Sequence, residues 1–203
     1  MSFKFTSQKL LNGLFEPEGI YLTPPFEGEL TIVQNWGENS AFYGQWNYNG
    51  VPLKGHTGID IRIAAGARLL AVDAGRIIEI SQEKGGFERY IKVEHRWGEA
   101  FYANCGKVLV ETGQSVARGD VIAHAVQEIP GGKDAASGRN STWFHFGVRI
   151  APFNRYDGWG GFADPLPFLP AGAVILPDDA GDDLRAGFPP HPMAEVRPGL
   201  RRP

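Results

Sequence analysis

Apolar and polar residues alternate with period two over much of this chain, the pattern of strands that bury one face. "LTIVQNWG" at 30–37 predicts a short strand running into a turn, and "GIDIRIAAG" at 58–66 alternates throughout. "ARLLAVDAGRIIEISQE" predicts two strands joined by a turn at Asp73-Ala74-Gly75, and "YIKVEHRWGEAFYANC" a hairpin turning near Trp97-Gly98-Glu99. "KVLVETGQSVARGDVIAHAV" holds strand segments separated by Gly113 and Gly119, and "TWFHFGVRI" at 142–150 reads as the last strand. Turn signals about 8–12 residues apart are what a compact antiparallel domain gives, so the fold class expected is all-β.

The pattern fails at both ends. Residues 1–28 are mixed, with Pro17, Pro24 and Pro25 set against any long element. After "DPLPFLP" the chain turns rich in proline, glycine and charge. The expected organisation is an N-terminal segment (1–28), a β domain (29–170) and a C-terminal tail or arm (171–203). The tail reads as a disordered extension or as an arm on an assembly partner.

Composition narrows the function. A length of 203 residues with 42% hydrophobic content suits one domain with a real core, and 27 glycines with 15 prolines favour short elements and turns. A net charge of −3 argues against nucleic-acid binding by phosphate neutralisation. The single cysteine, Cys105, excludes an intrachain disulfide and a cysteine zinc cluster; strand alternation predicts it buried and inert. No stretch is long enough to span a membrane. The opening segment has no apolar h-region, so the expected location is cytoplasmic as synthesised, or outside by a non-Sec route such as a phage virion or contractile injection particle.

Candidate chemistry begins with "GHTGID", where His56 and Asp60 stand in H-x-x-x-D spacing. On a straight strand the two would share a face about 13 Å apart, too far for one zinc ion. A kink would join them, and Gly58 permits one. The bland alternative is a surface histidine and a turn aspartate. In "TWFHFGVRI", alternation puts Trp143, His145 and Gly147 on one face and Phe144, Phe146 and Val148 on the other. The phenylalanine face is core, which leaves the His145 face for a groove. Two histidines and a carboxylate make a three-ligand zinc site with one open position.

These pieces resemble, in order and spacing, a known family. "HTGID", "AGARLLAVDAGRIIEI", "YIKVEH", "GQSVARGDVIA", "WFHFGV" and a closing "DPLPFL" resemble the lysostaphin-type zinc endopeptidases (LytM-like, or β-lytic, metallopeptidases) over roughly residues 28–169. The resemblance implies an antiparallel β core with a groove over the sheet, binding of peptidoglycan peptide cross-links, and one zinc ion that activates water for amide cleavage. It places the zinc ligands at His56, Asp60 and His145.

It also marks two departures. The family carries one further histidine in a Y-x-H motif, here "YAN", and another as the first histidine of H-x-H, here "WFH". Asn104 and Trp143 occupy those positions. A histidine there moves a proton and stabilises developing charge. Asn104 cannot shuttle a proton near neutral pH, and the Trp143 indole only donates. The function expected is a zinc-binding, peptidoglycan endopeptidase-like domain, catalytically impaired, that acts in binding, scaffolding or regulation. The alternative is an active zinc endopeptidase of the cell wall. A lipoyl- or biotinyl-type carrier is disfavoured, because the hairpin in question presents no lysine at its turn.

Other residues stand lower. Tyr48 and Trp46 precede His56 and are candidates to line the groove or simply to pack their loop. His95 reads as solvent-facing, His124 lies past the "GDVI" strand and ranks low as a site residue, His191 reads as a surface residue, and Glu94 and Glu99 read as bases only if their hairpin folds over the groove.

Overall fold

The computed structural model describes residues 5–11, 14–28, 30–83, 88–127, 141–170 and 174–175. The elements run β1 (Phe5–Leu11), β2 (Leu14–Gly19), β3 (Leu30–Gln34), α1 (Ser40–Tyr43), β4 (Asn47–Tyr48), β5 (Val51–Pro52), β6 (Ile59–Ala64), β7 (Arg68–Leu70) and β8 (Gly75–Glu83). They continue with β9 (Glu88–His95), β10 (Gly98–Ala103), β11 (Cys105–Val108), β12 (Ser115–Val116), β13 (Val121–Ala125), β14 (Ser141–Ile150) and β15 (Val174–Ile175). The all-β expectation holds: among the described residues the one α-helix has four residues. No helix among the described residues is long and apolar enough to cross a membrane.

An eight-stranded sheet, ordered β12-β8-β9-β10-β14-β6-β3-β15, frames the molecule. Its described neighbours pair antiparallel except β15, which runs parallel to β3. The β9–β10 hairpin forms where expected. β14 is a central strand, but it is not the last, since Val174 and Ile175 add to the sheet edge beyond it.

Three local expectations change. The mixed N-terminal segment contains a β1–β2 ribbon, in which Pro17 stands opposite Gln8. Both strands of an isolated ribbon are edges, where proline is tolerated. The strands either side of Asp73-Ala74-Gly75 do not form a hairpin: β7 joins β11 and β13 in a three-stranded sheet, while β8 pairs with β9. Asp73 explains this crossing, because its carboxylate accepts from Ala74 N, from Trp97 Nε1 and from Arg118, and so ties the turn to distant segments. Burial alone would raise the Asp73 carboxyl, but the Arg118, Ala74 and Trp97 contacts hold it below its ordinary value.

The chain changes sheets again at Asn104, between β10 and β11, with φ at 62°. Asparagine is among the few non-glycine residues that adopt this left-handed conformation readily. Cys105, one residue on, is buried as expected; burial pushes its thiol up to about 12.

The eight-stranded sheet has two unlike faces. One carries Ile59, Ile61, Ile77, Ile91, Val93, Tyr102, Phe144, Phe146 and Val148 into the main core. The other meets a smaller aromatic cluster of Tyr43, Trp46, Leu53, Tyr90, Phe101, Ala103 and Phe162.

Candidate metal centre

His56 and Asp60 meet because the strand begins late. β6 starts at Ile59, so Thr57 and Gly58 form a bend rather than strand. The bend closes the gap expected of a straight segment and sets His56 Nε2 3.2 Å from Asp60 Oδ1. Gly58 is needed for space: a Cβ there would lie 2.5 Å from the Phe146 carbonyl oxygen and 2.7 Å from His145 Cε1. Asp60 and His145 are cross-strand partners on β6 and β14. His145 Nδ1 stands 2.9 Å from Asp60 Oδ1 and 3.1 Å from His56 Nε2.

These three atoms form a nearly equilateral triangle. Ligand atoms around a tetrahedral ion with bonds of about 2.0–2.1 Å lie about 3.3 Å apart, close to the edges seen here. Proton accounting points the same way. His56 Nδ1 is 3.0 Å from the Asn35 carbonyl oxygen, which can only accept, so Nδ1 carries the hydrogen and Nε2 presents a lone pair. That lone pair faces a carboxylate oxygen at 3.2 Å. Two acceptors at this distance need a proton or a cation between them, and a cation at the centre of the triangle satisfies all three groups. The set is able to hold a metal ion.

The site is more enclosed than an open groove. His56, Asp60 and His145 are 1%, 4% and 1% exposed. Phe101 meets His145 edge to face at 6.0 Å and Phe162 at 5.8 Å, and Tyr43 lies 5.4 Å from the His56 ring. Trp143 is half-buried on the same face of β14. Asn104 is buried, and its Nδ2 donates to the Trp143 carbonyl at 2.7 Å.

Trp46 is buried within the aromatic cluster, and Tyr48 is half-buried, its hydroxyl accepting from Arg149 at 2.8 Å. His95 is a correction: it is buried, because it follows Ile91 and Val93 on the core face of β9. His124, on β13 of the three-stranded sheet, bonds the Gly66 carbonyl at 3.0 Å, and His191 lies outside the described residues. Glu99 pairs with Arg149 at 2.9 Å, and Glu94 is exposed.

Arg149 is the residue that strand reading passed over. It is 2% exposed, and its guanidinium bonds the Gly160 carbonyl, Glu99 and Tyr48 and lies 4.1 Å over the Phe162 ring. It thereby fixes the loop bearing Phe162 over the His145 face. The available signal was its register: Arg149 follows His145 by four residues, on the same face of an alternating strand.

The model of peptidase family M23 matches residues 54–152, a span that holds the whole triangle and the strands that build it. The chain carries a peptidase family M23 domain. An uncharacterized metalloprotease of Haemophilus influenzae is 31% identical over 72 residues, 35% of this chain and 15% of that protein. The uncharacterized lipoprotein YgeR of Escherichia coli is 32% identical over 119 residues, 57% of this chain and 40% of its own length. The M23 chain thus spans less than half of either curated relative. Among solved structures, Csd3 of Helicobacter pylori is similar in fold, with a TM-score of 0.51 at 15% identity over 75% of this chain and 34% of its own.

Proposed function

We propose that this M23 domain binds one zinc ion through His56, Asp60 and His145 and is impaired in hydrolysis, acting by binding bacterial wall peptide or a partner protein. The observation that carries the metal reading is the triangle itself: two nitrogens and one carboxylate oxygen within 3.2 Å of each other, buried, with the His56 ring oriented by its Nδ1 contact to the Asn35 carbonyl. Zinc held there supplies Lewis-acid polarisation of an amide carbonyl. The protein's part is to aim His56 Nε2, His145 Nδ1 and Asp60 Oδ1 at one point and to wall the site with Phe101, Phe162 and Tyr43.

Impairment rests on what lies nearby. Amide hydrolysis also needs a group that takes a proton and passes it to the leaving amine. Among the described residues, the histidines outside the triangle are His95 and His124, bonded to the Ala74 and Gly66 carbonyls. Asn104 does not titrate near neutral pH, and its amide is engaged by the Trp143 backbone. The substrate class, peptide cross-links of peptidoglycan, follows from the family resemblance.

The test combines metal analysis with digestion of purified peptidoglycan and glycine-rich peptides by the full chain. One equivalent of zinc with no cleavage is the expected result. Cleavage lost with Asp60→Ala would overturn the impairment and make the chain a wall endopeptidase; absence of zinc after reloading would overturn the metal reading. Asn104→His with Trp143→His should raise cleavage if the catalytic histidines alone are missing, by about 10²–10⁴-fold per group.

A further inference from the structure

We infer that Glu38 is a positioning residue for the metal centre: it locks the turn at 35–38 so that the Asn35 carbonyl fixes the His56 ring with Nε2 toward Asp60 and His145. This rests on the metal reading above. The Glu38 carboxylate accepts from Asn35 at two points, the backbone N–H at 3.0 Å and the side-chain Nδ2 at 3.2 Å. The same Asn35 gives its carbonyl to His56 Nδ1 at 3.0 Å. Two main-chain bonds close the loop from the other side, Gly37 N to the His56 carbonyl and His56 N to the Glu38 carbonyl, each at 3.0 Å. The turn has no regular element to stiffen it, since β3 ends at Gln34 and α1 starts at Ser40. The main-chain bond across the turn, Glu38 N–H to the Asn35 carbonyl, is long at 3.4 Å, and the Glu38 side chain reinforces it with its two bonds to Asn35.

The chemical consequence is a choice of tautomer. An imidazole whose Nδ1–H is held by a carbonyl has its lone pair on Nε2, the atom at the triangle. If the Asn35 carbonyl swings away, the ring populates the Nε2–H form and rotates, and either change removes a ligand. Outer partners of this kind typically matter 10- to 100-fold, roughly, in metal affinity.

The experiment uses the full chain, stripped with a chelator and titrated with zinc against a chelating dye, together with long-range ¹H–¹⁵N NMR of the metal-free His56 ring. Glu38→Ala should weaken zinc binding about 10- to 100-fold and shift His56 from the Nδ1–H form to a mixture. Glu38→Gln retains one acceptor oxygen and should fall between Ala and wild type; it decides the matter if the alanine variant does not fold. Zinc affinity within about twofold of wild type and an unchanged tautomer, even with a lowered melting temperature, would make Glu38 a structural residue only and overturn the inference. A wild-type chain that takes up no zinc would instead overturn the metal reading, and the NMR comparison would still report whether Glu38 sets the ring.

Discussion

His56 and His95 are both buried, at 1% and 6% exposed, and each gives its Nδ1 hydrogen to a main-chain carbonyl, Asn35 for one and Ala74 for the other. Both rings therefore present a bare Nε2. At His56 that atom meets Asp60 and His145 within 3.2 Å. At His95 it has no hydrogen-bond partner, and the ring stacks on Trp97 at 4.7 Å, 14° from parallel. The neighbourhood also differs in charge. Asp73, whose charge acts on His95, accepts hydrogen bonds from Arg118 and Trp97 rather than from the imidazole. A buried histidine with a fixed tautomer is thus not a ligand by itself. What makes one is the convergence of other lone pairs on the free nitrogen.

The most severe way to break the comparison is to remove a converging group. Asp60→Ala or His145→Ala should abolish zinc retention through dialysis, a loss beyond the roughly 100-fold that outer partners reach. His95→Gln should leave zinc content and affinity unchanged, and a loss of zinc in that variant would sink the distinction drawn here. Zinc should also stabilise the fold. At a free concentration near 100 times the dissociation constant, binding contributes about 2.7 kcal/mol, which for a chain of this size is a melting shift of about 5–10 °C. Calorimetry with and without chelator checks this, and Asp60→Ala should show no shift.

Gly58→Ala comes next in size. The new methyl would stand 2.5 Å from the Phe146 carbonyl and 2.7 Å from the His145 ring, neither of which is a flexible chain end. Overpacking of this kind costs about 1–3 kcal/mol, and here the strain falls on a proposed ligand, so zinc affinity should drop along with stability. A variant that melts lower yet binds zinc as tightly as wild type would place the strain on the strand rather than on the ring.

The alternation of "WFHFGVRI" was enough to separate the core face from the site face, because a period-two strand records both in its own sequence. The H-x-x-x-D pair was visible as well, but the way it closes was not. Spacing suggested a kinked strand, whereas the strand begins only at Ile59 and a two-residue bend does the work. The second aromatic layer and the Arg149 contacts were hidden for a different reason. Arg149 meets Tyr48 across 101 residues of chain, and no local pattern encodes a partner that distant. Glu38 and Asn35 are invisible to periodicity too, since a turn locked by side chains leaves no repeat. His95 was misplaced because it ends its strand next to charged Arg96, although counting back by twos to Val93 and Ile91 puts it on the core face.

The finest probe of the comparison is pH. Burial holds the His95 imidazole below its ordinary value of 6.5; the Ala74 bond and the nearby Asp73 carboxylate oppose that shift only in part, and Arg118 adds to it. The unfolded chain then binds a proton on His95 at a higher pH than the folded chain does. Stability contributed by the neutral ring is complete above pH 6.5 and declines as pH falls from there toward the lower folded value. His95→Gln cannot take that proton while still offering an N–H to the Ala74 carbonyl, so its melting temperature should fall less than that of wild type across this window. Asp73 and Glu79 do not confuse the measurement, because both carboxyls are held below their ordinary values of 3.8 and 4.5 and change charge only at lower pH. His56 and His145 are common to both proteins, so the difference between the two curves isolates His95. Parallel curves would mean that the buried Nε2 accepts its proton as readily as an exposed one, and the contrast with His56 would then rest on geometry alone.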